Sequence, residues 1–234
     1  MSLTELQIAA NYRDIHQRIE AACARAGRPA SSVKLVAVTK YADIEWVRDL
    51  LAVGVINLGE SRPQQLVARA PQISEPVRWH LIGHLQRNKA RRVLPLATLI
   101  HSVDTLQLLA KIDALADELN LRPRLLLEVN LSGEAAKHGF TADELSAAWG
   151  IILEYRHVQL EGLMTLAPLT ENPEQTRPVF RRLRELRDQF AGLEATSVTL
   201  PVLSMGMSRD FEIAIEEGAT LVRIGSSLFQ GLRS

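Results

Sequence analysis

Val33-Lys34-Leu35-Val36-Ala37-Val38-Thr39-Lys40 is the stretch whose reading decides the fold. Its β-branched and aliphatic run has the character of a strand covered on both faces, as in a parallel sheet. A helical pattern begins shortly afterwards, at Asp43. Lys40 closes the run, and carboxyl ends of parallel strands are where α/β proteins build their sites. Two readings of Lys40 stand at this point. One is an amine that is partly desolvated, held less firmly in its charged form and able to attack a carbonyl to give a Schiff base. The other is a lysine that ends a strand and extends to water.

Working outward, similar runs occupy residues 33–39, 54–59, 77–83, 98–103, 124–130, 158–166, 198–204 and 220–225. Each has the length of a strand in a parallel sheet. Between them lie helical faces: Ile44, Val47, Leu50 and Leu51; Leu106, Leu109, Ile112, Leu115 and Leu119; Phe180, Leu183, Leu186 and Phe190. Thr141-Ala142-Asp143-Glu144 has capping-box spacing and starts a helix running to about Tyr155. A long amphipathic helix, residues 2–26, precedes the first strand and stops at Gly27 and Pro29. Strand and helix alternating about eight times predicts a (β/α)8 TIM-type barrel, with an open doubly wound sheet as the alternative. No linker, repeat or low-complexity tract interrupts the pattern, so one domain over residues 1–234 is expected, with 169–173 as its surface loop.

The composition excludes several classes. The 234 residues are 47% hydrophobic, enough for one sizeable core, and 27 basic side chains balance 27 acidic ones. A neutral chain gives no reason to expect nucleic acid or an anionic membrane as partner. Cys23 is the sole cysteine, which rules out an internal disulfide and a cysteine zinc site and fits a reducing compartment. Residues 1–12 include Glu5 and lack the charged-then-apolar order of a signal peptide. No apolar stretch approaches the roughly 18 residues of a membrane span. A soluble, cytoplasmic protein is expected, a monomer, with a dimer as the alternative.

Phosphates bind preferentially after the seventh and eighth strands of a barrel. Those ends here are Ser204-Met205-Gly206-Met207-Ser208 and Gly225-Ser226-Ser227. Gly206 and Gly225 open space for backbone amides to approach an oxyanion, the serines supply hydroxyls, and Ser208 has the look of a helix N-cap. The same residues are also ordinary turn formers. Arg223 shares its strand face with Leu221 and Gly225, so it is buried and needs a partner. That partner is either an internal carboxylate, Glu128 or Glu161, or a ligand near the phosphate site. The six histidines show no metal-ligand spacing, and His80 reads as a hydrogen-bonded residue inside a strand. Arg87, Lys89, Arg91 and Arg92 read as a solvated helix face, Met164, Met205 and Met207 as packing, and Lys137 as a loop lysine.

Six segments together resemble one family: Leu35-Val36-Ala37-Val38-Thr39-Lys40, Leu58-Gly59-Glu60-Ser61, the run from Trp79 to Lys89, Glu161-Gly162-Leu163-Met164, the run from Leu203 to Ser208, and Val222-Arg223-Ile224-Gly225. They are similar, in order and over nearly the whole chain, to the pyridoxal-phosphate homeostasis proteins (the YggS/PROSC family). The resemblance implies a barrel of the alanine-racemase N-terminal kind, carrying pyridoxal 5′-phosphate, with an extra N-terminal helix and without the racemase C-terminal β-domain. It implies Lys40 as the Schiff-base lysine and Ser204, Gly206, Gly225 and Ser226 as phosphate contacts. It places Arg223 at the pyridine nitrogen, and adds Asn57 and Met164 to the cofactor-binding set. A permanently charged donor at that nitrogen keeps it unprotonated and makes the ring a weaker electron sink. Ser61 and Ser226 depart from the family's usual asparagine and threonine, and Gln230 interrupts its usual ending.

Three functions follow from this resemblance. The first is a carrier that stores, buffers or delivers pyridoxal phosphate, with PLP-dependent apoenzymes as partners and no turnover of its own. The second is an amino-acid racemase using Lys40 as base, with His80 or Asn57 assisting. The third is a cofactor-free aldolase whose Lys40 engages a substrate carbonyl directly. Alanine racemase takes its second base with help from its β-domain, so the carrier is the expected reading.

Overall fold

The computed structural model describes residues 2–132, 138–193 and 198–232. Eight parallel strands close into a barrel in chain order: β1 (Lys34–Val38), β2 (Asn57–Glu60), β3 (Arg78–Leu81), β4 (Ala97–Val103), β5 (Arg124–Glu128), β6 (Gln159–Met164), β7 (Val202–Met207) and β8 (Leu221–Ile224). β1 closes the ring by pairing with β8, Val36 opposite Arg223 and Ala37 opposite Ile224. The TIM-type expectation therefore holds, and the open sheet is excluded.

The period of two in each strand divides the core. Inward residues Val36, Leu99, Leu126, Met164 and Leu221 make a small apolar layer in the lumen. Outward residues such as Leu35, Ala37, Leu58, Leu127, Leu163 and Val222 join the larger core beneath the helices. Those helices are α1 (Leu3–Arg25), α2 (Ile44–Ala52), α3 (Pro63–Arg69), α4 (Ala90–Val93), α5 (Leu106–Glu118), α6 (Ala142–Ile152), α7 (Arg177–Ala191) and α8 (Phe211–Glu216). α1 starts in a capping box between Ser2 and Glu5 and buries Ile8, Ile15, Ile19 and Ala22. It packs on both α8 and α2, and so covers the seam between the last and first strands. Arg18–Glu212 and Arg25–Glu216 ion pairs tie it to α8.

Two boundaries move, with consequences for the site. The seventh strand runs through Met207 rather than stopping at Ser204: Ser204 pairs with Leu221 and Met207 with Arg223, across a bulge in β7 that shifts the register between them. Ser204 is consequently inside the barrel, not at its mouth. Asp210, not Ser208, stands at the N-cap of α8. Lys137 lies outside the described residues.

Candidate functional site at the carboxyl mouth of the barrel

Lys40 is the second residue beyond β1, and it is exposed. The expectation of a partly desolvated amine is therefore corrected: the chain turns out of the barrel at buried Thr39, carrying the next side chain into solvent. Its Nζ lies 4.9 Å from the centroid of the Tyr41 ring. Exposure does not mean looseness, because a buried carboxylate anchors the turn. Glu60, at the end of β2, accepts from the Thr39 hydroxyl at 2.6 Å and from Arg69 of α3. Arg69 also donates to the Thr39 carbonyl at 2.8 Å and the Ala42 carbonyl at 2.6 Å, and Gln65 donates to the Lys40 carbonyl at 2.9 Å. Burial raises the Glu60 pKa, opposed by Thr39 and Arg69.

The turn opens onto a cavity of about 520 Å³, within the range of small-molecule sites. Lys40, Tyr41 and Trp46 line one side, Pro168, Leu169, Thr170 and Thr176 another, and Met207, Ser208, Arg209, Asp210, Ser226 and Phe229 a third. Val38, Arg223 and Gly225 complete it. Trp46 and Phe229 stack with centroids 5.6 Å apart. At the eighth strand end, the backbone N–H groups of Gly225 and Ser227 both point at one oxygen, Ser208 Oγ, at 3.3 and 3.4 Å. The Ser208 hydroxyl thus fills the point where these two donors converge, with exposed Ser226 beside it. Asp210 is committed elsewhere, accepting from the Met207 N–H at 2.6 Å.

Arg223 is 3% exposed. Neither candidate carboxylate pairs with it. Glu161 is held by Arg124 (Nη2 to Oε2, 2.6 Å), and Glu128 acts on Arg223 only at longer range. Arg223 instead donates from Nη1 to Ser204 Oγ at 2.6 Å and from Nη2 to the Thr165 carbonyl at 2.9 Å. Burial lowers its pKa to about 10, offset by Asp210 and Glu128, so it is charged at neutral pH.

Of the eight residues expected to hold a cofactor, the structure gathers Lys40, Arg223, Gly225 and Ser226 around one cavity. The other four lie elsewhere. Ser204 is fully buried in the lumen beneath Arg223. Gly206 has φ +91°, and a Cβ there would stand 2.6 Å from Ala214 Cβ, so it serves the packing of β7 on α8. Met164 belongs to the apolar lumen layer. Asn57 opens β2 and lines a separate cavity of about 400 Å³ at the amino end, with Lys34, Arg78, His80 and Arg124. The sequence reading also missed Trp46, Thr176 and Phe229, and it missed the Glu60–Arg69 anchor. Only the placement of Glu60 directly after Gly59 at a strand end hinted at that last role.

One group of metal-ligating side chains occurs among the described residues: His84, Asp104 and His138. His84 Nδ1 lies 2.9 Å from Asp104 Oδ2, and the two imidazoles stack at 4.2 Å with 16° between their planes. Ring nitrogen lone pairs lie in the ring plane, so one ion cannot sit in two stacked planes. These are two imidazoles sharing a carboxylate.

Residues 7–233 match the family model for the alanine racemase N-terminal domain. The chain is 42% identical over 214 residues to a pyridoxal phosphate homeostasis protein of Aquifex aeolicus, covering 91% of this chain and 93% of that protein. It belongs to the pyridoxal phosphate homeostasis protein family. The Escherichia coli relative is 32% identical over 228 residues, 95% of each chain. Among solved structures, PipY of Synechococcus elongatus with PLP bound matches with a TM-score of 0.81 at 35% identity, covering 92% of this chain and 99% of that one. An alanine racemase from Clostridium difficile shares the fold at a TM-score of 0.70 and 17% identity, over 96% of this chain and 58% of the racemase. Among the described residues no helix is long and apolar enough to cross a membrane.

Proposed function

We propose that this chain binds pyridoxal 5′-phosphate at the carboxyl mouth of the barrel and acts in the cytosol as a non-catalytic carrier. It would store the cofactor and hand it to PLP-dependent apoenzymes. The observation that carries the reading is the meeting of a lysine amine, a buried arginine and the glycine–serine end of the eighth strand around one cavity. These residues fit the cofactor's three functional ends. The Gly225 and Ser227 amides, with the Ser226 and Ser208 hydroxyls, would suit a phosphate monoester that takes over the two bonds Ser208 Oγ now accepts. Arg223 offers a donor to a ring nitrogen. Lys40 offers an amine to an aldehyde. When bound, the cofactor supplies an electron-withdrawing ring that can stabilise charge at a carbon attached through its aldehyde.

Turnover needs more than this. Racemisation requires a base on each face of the substrate, and the two assistants expected from sequence, His80 and Asn57, line the cavity at the amino end instead. Asp210 is held by the Met207 amide. Tyr41 adjoins Lys40 on the same turn. The exposure of Lys40 suits exchange of a bound aldehyde with solvent and acceptor proteins. The resemblance to PLP-binding PipY supports the cofactor, and the names of the relatives support the homeostatic role.

Amino acids incubated with the PLP-loaded protein in heavy water discriminate carrier from racemase. A carrier gives no α-deuterium across a broad panel, while it restores activity to a PLP-dependent apoenzyme. Exchange present in the wild type and absent in Lys40→Ala would overturn the carrier in favour of the racemase.

A further inference from the structure

A continuous file of polar side chains, half-buried at Asn57 and buried from His80 onward, crosses the barrel from its amino cavity to Arg223. Asn57 Oδ1 is 3.4 Å from His80 Nε2, His80 Nδ1 is 2.9 Å from His101 Nε2, and His101 Nδ1 is 2.8 Å from Ser204 Oγ. Ser204 Oγ in turn receives Arg223 Nη1 at 2.6 Å. The contributing residues come from β2, β3, β4, β7 and β8, so the file spans the lumen. A run of polar groups through an apolar layer is costly unless every proton in it has an acceptor.

Proton counting gives the file a direction. A guanidinium only donates, so Ser204 Oγ accepts from Arg223. The Ser204 proton then has His101 Nδ1 as its acceptor. A neutral imidazole carries one N–H, which places the His101 proton on Nε2, aimed at His80 Nδ1. The His80 proton is then on Nε2, aimed at Asn57 Oδ1. The opposite direction would make Ser204 Oγ accept twice and leave its own proton buried without a partner. Both imidazoles must stay neutral for this order to hold, and their surroundings enforce it. Burial disfavours the charged form of both, and nearby cations add to it: Arg124, Arg78 and Lys34 act on His80, and His80 and Arg223 act on His101.

We propose that Ser204 and His101 are positioning residues: through this one-way file they hold the Arg223 guanidinium in a single orientation toward the cavity. Two of its five N–H groups are used by Ser204 and Thr165. The rest stay available where the cavity opens. Burial is the main reason His80 does not take a second proton, and the cations at the amino mouth act in the same direction. That Arg223 meets a cofactor rests on the PLP reading above; that it is held by this file does not.

The experiment separates the two. Nitrogen-15 spectra of the labelled full-length protein without PLP should show His80 and His101 protonated at Nε2, bare at Nδ1 and not titrating between pH 5 and 8. They should also show separately resolved Nη protons on Arg223 that merge in Ser204→Ala. In the PLP-loaded protein, Ser204→Ala and His101→Leu should weaken cofactor binding on the order of tenfold and shift its absorption band. His101→Gln, whose amide can both accept and donate, should restore most of the loss. Protonated Nδ1 on His101, unresolved Arg223 Nη protons in the wild type, or wild-type affinity and spectrum in both variants would overturn the proposal. If the wild type binds no PLP, the function reading fails and the nitrogen spectra decide this proposal alone.

Discussion

Glu128 should make the protein lose stability as the solution passes through neutrality. Its carboxyl, at the end of β5, is 6% exposed. Burial first, then repulsion from Asp104, push its pKa up from 4.5 to about 7, with Arg223 opposing. A carboxyl whose folded pKa is raised favours the fold while it keeps its proton. The contribution is complete below pH 4.5, is lost as pH rises through 7, and is absent above. A shift from 4.5 to about 7 spans about 2.5 units, which at 1.36 kcal/mol each sets an upper value of about 3 kcal/mol. Glu128→Gln keeps the shape and cannot ionise, so its stability should exceed that of the wild type by a margin that widens from pH 4.5 to pH 8. Urea unfolding of both proteins across that range measures the margin. Profiles that stay parallel within about 0.5 kcal/mol would show that Glu128 ionises as freely in the fold as in the unfolded chain.

Two further substitutions probe the scaffold that presents Lys40. Arg69→Ala leaves the fully buried Glu60 without its cation and should destabilise the fold by about 3 kcal/mol, whereas Glu60→Gln, which leaves Arg69 its Thr39 and Ala42 carbonyl acceptors and partial access to water, should cost clearly less. Equal losses in urea unfolding would argue against the anchor. Gly206→Ala should destabilise by about 2–4 kcal/mol, since it meets both a positive φ and the close approach of Ala214 and Phe211. A thermal midpoint unchanged from the wild type would refute that packing role.

The barrel was legible because its signal is periodic. Eight aliphatic runs separated by helical faces survive an error of a residue or two at any boundary, and closure follows from their number and order. That Lys40, Arg223, Gly225 and Ser226 meet at one cavity follows for a related reason, as each sits at or beside a strand end. Ser204 lies deeper than expected because a strand boundary moved. A serine followed by Met205-Gly206 looks like a strand leaving its sheet, and pairing with β6 does end at Ser204, yet pairing with β8 resumes past a bulge and carries the strand to Met207. The hydroxyl expected at a phosphate therefore lies among lumen histidines. Asn57, within the run read as 54–59, is the first residue of β2 and so lies at the amino end of the barrel, away from the other expected contacts. Trp46, Thr176 and Phe229 carry no local signal at all. They converge only because α2, the segment before α7 and the turn after β8 meet over one cavity.

The central claim is that the amine of Lys40 holds pyridoxal phosphate. Purified protein incubated with PLP, treated with borohydride, digested and read by mass spectrometry tests it directly. The account predicts a pyridoxyl group on Lys40 in the wild type, and loss of stoichiometric labelling in Lys40→Ala. Stoichiometric labelling at another lysine, or none at saturating PLP, would contradict it.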